Sequence, residues 1–494
     1  MTFFYRGKGL RALPMVLLAA AFMMPLAGCN TDELVEVEDT AQLRPEDLEG
    51  LAAVPALVNG ALRQFVGGYS GFGLDDSFLS ATAATTDEFY FGDTFPTRDA
   101  ADRRSWQPPV LGNITDPSYA RLHQARFNAR RAFAVVEEFS TSQTAAADAA
   151  TKAQLRTIEG YVYVTLSEGW CGSVPFSKLP DSGPIDPSAI EFTAGLTTAQ
   201  MSDTAGVRFD QALALNAGNN LAKVGKGRAL LNLGLYAQAA AAVATVPTTY
   251  VFRLQHSINE GTQNNPIWAL QANGRYGISN LEGGLGSTGA ALRTDTSSTL
   301  TAPGGSAEGI PFRALQDPRV PYSGRPNCFT TSVRCWLNNN YPNQDADVPL
   351  ASGVEARLIE AEAALAAGDV GLMLTRLNDL RAAVMTRLQV LYPDQISPNP
   401  FAVAALPALA DPGTPEARRA MLFQERALWL FNTGHRLGDL RRLVRNYGIP
   451  STQAFPSGPF FRGGVYGNDV AFPVPFSEEN NPNFNRAACV TTQA

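Results

Sequence analysis

Histidine is scarce in this chain of 494 residues: there are three, His123, His256 and His435, and none stands in an HExxH pattern or beside a CxxC pair. A zinc or haem centre of ordinary ligand spacing therefore has almost no material to form from. Basic runs are missing too. Charged residues are 17% of the chain and the net charge is −7, so no basic face stands out that could neutralise nucleic-acid phosphates. Past the first 28 residues no apolar stretch is long enough to span a bilayer, and strand-type alternation is rare. GxSxG, P-loop and GxGxxG motifs in a strand-helix setting are lacking as well. No metal, cofactor or catalytic residue is assigned. With 45% hydrophobic residues, what remains is an acidic globular protein long enough for more than one core.

The first segment differs from the rest. Arg6, Lys8 and Arg11 precede an apolar run from Leu13 to Leu26, and Leu26-Ala27-Gly28-Cys29 closes it. This is the layout of an export signal over residues 1–28. A cysteine directly after Leu-Ala-Gly resembles the bacterial lipobox, in which the thiol of Cys29 is lipidated and becomes the new N-terminus. Cleavage there removes three of the 39 basic residues and none of the 46 acidic ones, so the net charge falls from −7 to −10. Several acyl chains anchor stably where one would not, and residues 29–43 then form a polar tether. Asn30 is not the aspartate associated with inner-membrane retention, which favours the outer membrane. Export also permits disulfides. Cys328 and Cys335, seven apart in a polar stretch, are the expected pair; Cys171 and Cys489 are either a long-range pair or two buried thiols.

Helical periodicity dominates both flanks of the mature chain. Helices are expected over Arg44 to Gln64, Tyr119 to Phe139 and Ala146 to Trp170. Within Ala222 to Val246, Gly234 is followed by Tyr236 and Ala239, which resembles the turn of a tetratricopeptide helix pair. Ala356 to Val384 repeats the idea around Gly368-Asp369. Between these, the composition shifts to Gly, Asn, Ser, Thr and Pro with scattered aromatics, too long for a single loop in a compact domain. The expected organisation is a helical scaffold over 44–247 and 350–494 with an irregular, loop-rich lobe over 248–349. A second loop-rich stretch runs from Gly67 to Leu111.

Met421 to Leu443 contains Gln424-Glu425-Arg426, Gly434-His435-Arg436 and Gly438-Asp439-Leu440-Arg441-Arg442. The residues alone describe a salt-bridged helix pair broken at Gly434. Their order resembles the late signature of the SusD/RagB family of nutrient-binding outer-membrane lipoproteins. Gly169-Trp170-Cys171-Gly172-Ser173-Val174-Pro175-Phe176, Asp317-Pro318-Arg319, Glu360-Ala361-Glu362 with Leu377-Asn378-Asp379-Leu380-Arg381, and Phe472-Pro473-Val474-Pro475 agree in sequence order. Phe431-Asn432-Thr433-Gly434 lacks the acid usual before that glycine, and Arg486-Ala487-Ala488-Cys489 replaces the usual ending. The resemblance implies a mainly α fold, a tetratricopeptide-like scaffold with a loop-rich lobe. It also implies a surface lipoprotein that captures an oligosaccharide or a peptide and passes it to a SusC-like TonB-dependent barrel.

Sugar recognition would use aromatic faces with Asp, Asn and Arg on the hydroxyls. The candidates are Asp87, Tyr90 and Trp106, flanked by Phe91, Arg98 and Asp99, and Trp268, Tyr276, Tyr322 and Trp336. Asp345 and Asp347 flank a turn that could help bind calcium. Two rivals stand beside this reading. A lipid-anchored glycoside hydrolase would need opposed carboxylates, for which Asp87/Glu88 or Glu478/Glu479 are the material, but adjacent side chains rarely face each other across a substrate. Glu168 is expected as a solvated or hydrogen-bonded side chain at a helix end. A tetratricopeptide scaffold lipoprotein of envelope assembly would have neither a small-molecule site nor a barrel partner.

Overall fold

The computed structural model describes residues 53–141, 143–181, 183, 186–279, 310–325, 327–330 and 334–494. The export signal, Cys29, the tether and the first part of the helix expected from Arg44 lie outside the described residues. In chain order the main elements are α1 (Val54–Tyr69), α2 (Phe78–Thr85), β1 (Phe89–Phe91), α3 (Pro96–Asp102), α4 (Asp116–Phe139) and α5 (Ala145–Gly169). Then follow β2 (Val174–Pro175), β3 (Gly195–Leu196), α6 (Thr198–Leu215), α7 (Asn220–Asn232), α8 (Tyr236–Val243), β4 (Val251–Leu254), α9 (Pro266–Ala272) and β5 (Tyr276–Ile278). The last are β6 (Tyr322–Arg325), β7 (Cys335–Asn338), β8 (Val348–Ser352), α10 (Gly353–Ala366), α11 (Val370–Ala382), α12 (Val384–Leu391), α13 (Pro415–Trp429) and α14 (Arg436–Tyr447). The fold is mainly α, and among the described residues no helix is long and apolar enough to cross a membrane.

The helices form where apolar spacing and caps coincide. On α4, Leu122, Ala125, Ala129, Ala132 and Val136 are buried at helical spacing and lie against α1 and α5. α6 was not expected from the sequence. It starts at a Thr197/Gln200 capping box and buries Met201, Ala205, Phe209 and Ala212. Phe209 wedges between α5 and α7: a β-carbon on Gly160 or Gly225 would come within 2.6 or 2.4 Å of its ring.

The two glycine turns are alike in detail. Gly234 and Gly368 have φ of +72° and +74°, and the residue after each donates back five positions, Leu235 to the Leu230 carbonyl and Asp369 to that of Ala364. Asp369 also caps α11 by accepting from the Leu372 amide. The pairs α7/α8 and α10/α11 pack on each other through α8 and α10, as two tetratricopeptide-like units would.

Strands are short and pair across long sequence distances. β1 pairs antiparallel with β5, so the stretch 67–111 and the middle of the chain build one region. β4 pairs with β8 beside the scaffold, and β6 with β7.

The charged motif residues are mostly interior. Arg319 reaches Glu425 at 2.7 Å and Asp317 at 2.7 Å, and Arg381 joins the same Glu425 at 2.5 Å. Arg426 pairs with Asp439 at 2.8 Å, while Arg442 holds Asp439 at 2.8 Å and Glu362 at 2.9 Å. These guanidiniums hold the Asp439 carboxyl well below its usual range against the opposing effect of burial. Arg441 differs: it donates to the carbonyls of Ser167, Glu168 and Trp170, satisfying the end of α5. Glu168 is not solvated. It is buried and accepts from Arg228 Nε at 2.8 Å and from Asn232 at 2.9 Å. Disulfides join Cys328 to Cys335 and Cys171 to Cys489.

Candidate functional site

A cleft of about 500 Å³ opens where α1, α4 and α9 converge on the loop after α1. Phe72 forms one wall. Its ring edge seats against Gly67, where a β-carbon would come within 2.6 Å, and the guanidiniums of Arg63 and Arg121 lie 4.6 and 5.6 Å from its centre. Arg121 also holds Asp75 at 2.9 Å. Trp268, half-buried in the first turn of α9, also lines the cleft, with Asn264 and Asn273. The loop is locked from behind: the Gly73 amide donates to the Asn264 carbonyl at 3.0 Å, and Gly73, at φ +57°, passes so close to Gly261 that a side chain would collide with its carbonyl.

Beside Leu74 of the cleft, Arg98 donates to the Leu74 carbonyl at 3.4 Å and lies 5.0 Å from the Phe95 ring. Leu74, Phe95 and Phe329 are 48%, 51% and 51% exposed, unusual for large apolar groups lying together. Arg275 lies 4.0 Å over Phe329 and 5.8 Å from Phe95. Asp93 anchors it at 2.9 Å and also takes Arg98 at 2.6 Å. Arg98 in turn holds the buried Asp76 at 2.7 Å. The Cys328–Cys335 bond presents Phe329, whose amide donates to the Gly274 carbonyl at 2.9 Å. Preset guanidiniums, carboxylates and amides beside open aromatic faces suit a ligand with apolar ring faces and polar edges.

The structure distributes the sequence candidates unevenly. Trp268 lines the cleft. Asp87, Tyr90 and Tyr276 are buried and lie outside the cleft lining. Asp87 accepts from Tyr466 at 2.8 Å. Tyr90 donates to the Arg334 carbonyl and packs on Phe461. Tyr276 donates to Asp76 at 2.9 Å. Burial raises both phenols. The reason is register: β1 and β5 lie against the core, and both of their faces are covered. Phe91 is buried with them, and Asp99 pairs with Arg103. Trp106 packs edge-on against Phe472 of the closing segment. Tyr322 and Trp336 meet edge-on at 5.4 Å, with Arg313 and Arg334 over the indole; they lie apart from the cleft lining. Asp347 accepts from the His256 amide at 3.1 Å.

Arg63, Phe72, Asp75, Arg121, Phe95, Arg275 and Phe329 escaped the sequence reading. Phe72 and Phe329 had a local signal, their places as aromatics in the loop-rich stretches 67–111 and 248–349. The carboxylates considered for hydrolysis lie elsewhere: Glu88 accepts from the Asn432 amide at 2.8 Å, Glu478 from Tyr119 at 2.9 Å, and Glu479 pairs with Arg486 at 2.7 Å.

Comparison with known proteins locates the fold. No family model matches the sequence, and no curated protein matches it. Solved structures do resemble it. A SusD-like carbohydrate binding protein from Bacteroides vulgatus superposes with TM-score 0.56 at 13% identity, covering 89% of this chain and 98% of its own. A laminarin binding SusD-like protein gives 0.56 at 15%, covering 88% and 98%. A SusD/RagB family protein from Bacteroides thetaiotaomicron gives 0.54 at 11%, covering 87% and 96%. The chain therefore has the SusD/RagB fold.

Proposed function

We propose that this chain is a lipid-anchored nutrient-binding protein of the outer membrane that captures a glycan and delivers it to a SusC-like TonB-dependent barrel. The observation that carries the reading is the cleft lined by Phe72, Leu74 and Trp268, with the exposed Phe95 and Phe329 outside its lining, on a fold shared with proteins described as carbohydrate binding. Stacking of a sugar face on Trp268 or Phe329, with Asp75, Arg121 and Asn273 on its hydroxyls, needs no bond to be made or broken, so the role is binding without catalysis. The lipobox at Cys29 supports anchoring, and the fold supports the barrel partner.

The test is a panel of neutral oligosaccharides and peptides titrated against the mature protein by calorimetry. Trp268→Ala and Phe329→Ala should each weaken the responding ligand by roughly tenfold or more, about 1.4 kcal/mol, with the unfolding midpoint unchanged for the exposed Phe329. Response to peptides alone would transfer the cleft to the peptide branch of the reading, and a ligand whose affinity ignores both variants would overturn the cleft. A tagged, membrane-extracted protein should bring down a TonB-dependent barrel in near-equal amount; recovery of envelope-assembly proteins in its place would favour the scaffold role.

A further inference from the structure

A second cavity system, away from the aromatic cleft, is basic although the chain as a whole is acidic. Two adjoining hollows of about 310 Å³ each share Arg126 and Arg130 of α4 and Lys178 from the segment after β2. Arg156 of α5 and Arg208 of α6 complete the first. Most of these cations have internal partners. Glu159 takes Arg156 at 2.6 Å and Arg208 at 3.1 Å, and Asp181 takes Arg130 at 2.6 Å. Glu137 borders the first hollow; Glu478 borders the second and is engaged by Tyr119.

Arg126 is the exception. It is 5% exposed, yet among the described residues no carboxylate pairs with it. Its Nη2 donates to the Ser177 carbonyl at 2.6 Å, its guanidinium lies 5.3 Å from the Phe176 ring and is hydrogen-bonded to the Tyr163 side chain, and among the described residues its Nε has no acceptor. Beside it, His123 is packed between Tyr119 and Phe176 with Nε2 also without a partner. Among the described residues Lys178 has only Glu191 as a charge partner, at 3.8 Å and exposed. Glu159 and Glu478 act on Arg126 only through space; a buried guanidinium without a directly paired counter-charge costs several kcal/mol, and burial, with Arg130 nearby, lowers its affinity for the proton. Such a group is stabilised by an anion that enters from outside.

We propose that this basic cleft holds a compact oxyanion, a carboxylate, sulfate or phosphate group, between Arg126, Arg130 and Lys178. The site is separate from the aromatic cleft: Arg121, which lines that cleft, is five residues earlier on α4 and so about 140° round the helix from Arg126. The inference does not rest on the glycan reading.

The test is titration of the full mature protein with inorganic phosphate, inorganic sulfate and glucuronate at fixed ionic strength, with glucose as the uncharged control. Binding is read by calorimetry and by the ring resonances of His123. At least one anion should bind saturably while glucose does not, and Lys178→Gln and Arg130→Gln should each weaken it by about tenfold or more. Arg418→Gln, at a half-buried arginine paired with Asp411 elsewhere, should bind as the wild type does and so separates the site from net charge. Lys178 is 47% exposed, so its replacement leaves the fold intact. Glucuronate binding without the inorganic ions would support the site and assign it to an acid carried on a sugar; binding of the inorganic ions would support a free oxyanion. Failure of all three anions to saturate, or equal affinity in the Lys178 and Arg130 variants, would overturn the proposal.

Discussion

Glu425 illustrates how the charged motifs work residue by residue. It receives Arg319 and Arg381 from separate parts of the chain, so one carboxylate ties the Asp317-Pro318-Arg319 turn and α11 to α13. Breaking a buried pair on one side leaves the other charge uncompensated and typically costs about 3 to 5 kcal/mol. Glu425→Gln should lower the urea unfolding free energy by that order, and a loss below about 1 kcal/mol, the size of a surface pair, would mean that the network is dispensable. His256 makes a pH-dependent prediction. Burial depresses its pKa from 6.5 to about 4, with Ser70 Oγ at 3.1 Å from Nε2 and the Phe72 ring edge-on to it. Between those two values the unfolded chain binds the extra proton, so stability falls as pH drops from about 6.5 to 4. The cost from this residue is about 3 to 4 kcal/mol at most, the difference between 6.5 and about 4 taken at about 1.36 kcal/mol per pH unit. Comparing wild type with His256→Gln over that range isolates it: the wild-type advantage at neutral pH should shrink or reverse near pH 4.5. Parallel stability curves would show that His256 contributes no such term.

At the scale of elements, helices with a regular apolar stripe were legible because their signal is local. α4 and α5 begin within three residues of their expected starts, and both tetratricopeptide-like turns fall on the glycines that the sequence singled out. α6 was missed because its apolar residues are spaced among Gln, Ser, Asp and Thr and gain their meaning from Gly160 and Gly225, far away in sequence. The strands were illegible for the same reason: β1 is explained only by β5. The cleft was legible only at Trp268, since Arg63 and Arg121 sit on helices that look like ordinary scaffold and the loop 72–75 is set by residues 261–264, far away in sequence. The turn glycines themselves can be tested. Gly434, between α13 and α14, has φ +83°, and a β-carbon there would come within 2.7 Å of the Tyr69 hydroxyl. Gly368 has φ +74° with nothing within 4 Å. Alanine at Gly368 should therefore cost only the left-handed backbone penalty, about 1 to 2 kcal/mol, whereas alanine at Gly434 adds overpacking of roughly 1 to 3 kcal/mol more. Equal losses in chemical denaturation would show that close approach at Gly434 is relieved by movement of Tyr69.

The closing segment acts on the molecule as a whole. The Phe472 amide donates to the Gly169 carbonyl at 2.8 Å, and the Cys171 amide returns the bond to Phe472 at 2.9 Å. Asp469 accepts from the Trp106 amide at 2.8 Å and its carbonyl takes Arg104 Nε at 2.8 Å. Ser173 donates to the Asn485 carbonyl at 3.0 Å. The last 26 residues, from Asp469 to Ala494, thus clasp the ends of α3 and α5, and the Cys171–Cys489 disulfide fastens the clasp across a separation of 318 residues. A cross-link stabilises chiefly by restricting the unfolded chain, more for longer loops. On that argument the Cys171–Cys489 bond contributes on the order of 5 kcal/mol, against about 2 to 3 kcal/mol for the Cys328–Cys335 bond, which closes a separation of only seven residues. The two should separate experimentally. Cys171→Ser with Cys489→Ser should lower the unfolding free energy more than Cys328→Ser with Cys335→Ser. The smaller loop instead orders Phe329, so its loss should show mainly as weaker ligand capture. A long-range double variant as stable as wild type would mean that the backbone bonds of the closing segment hold the ends together without the cross-link.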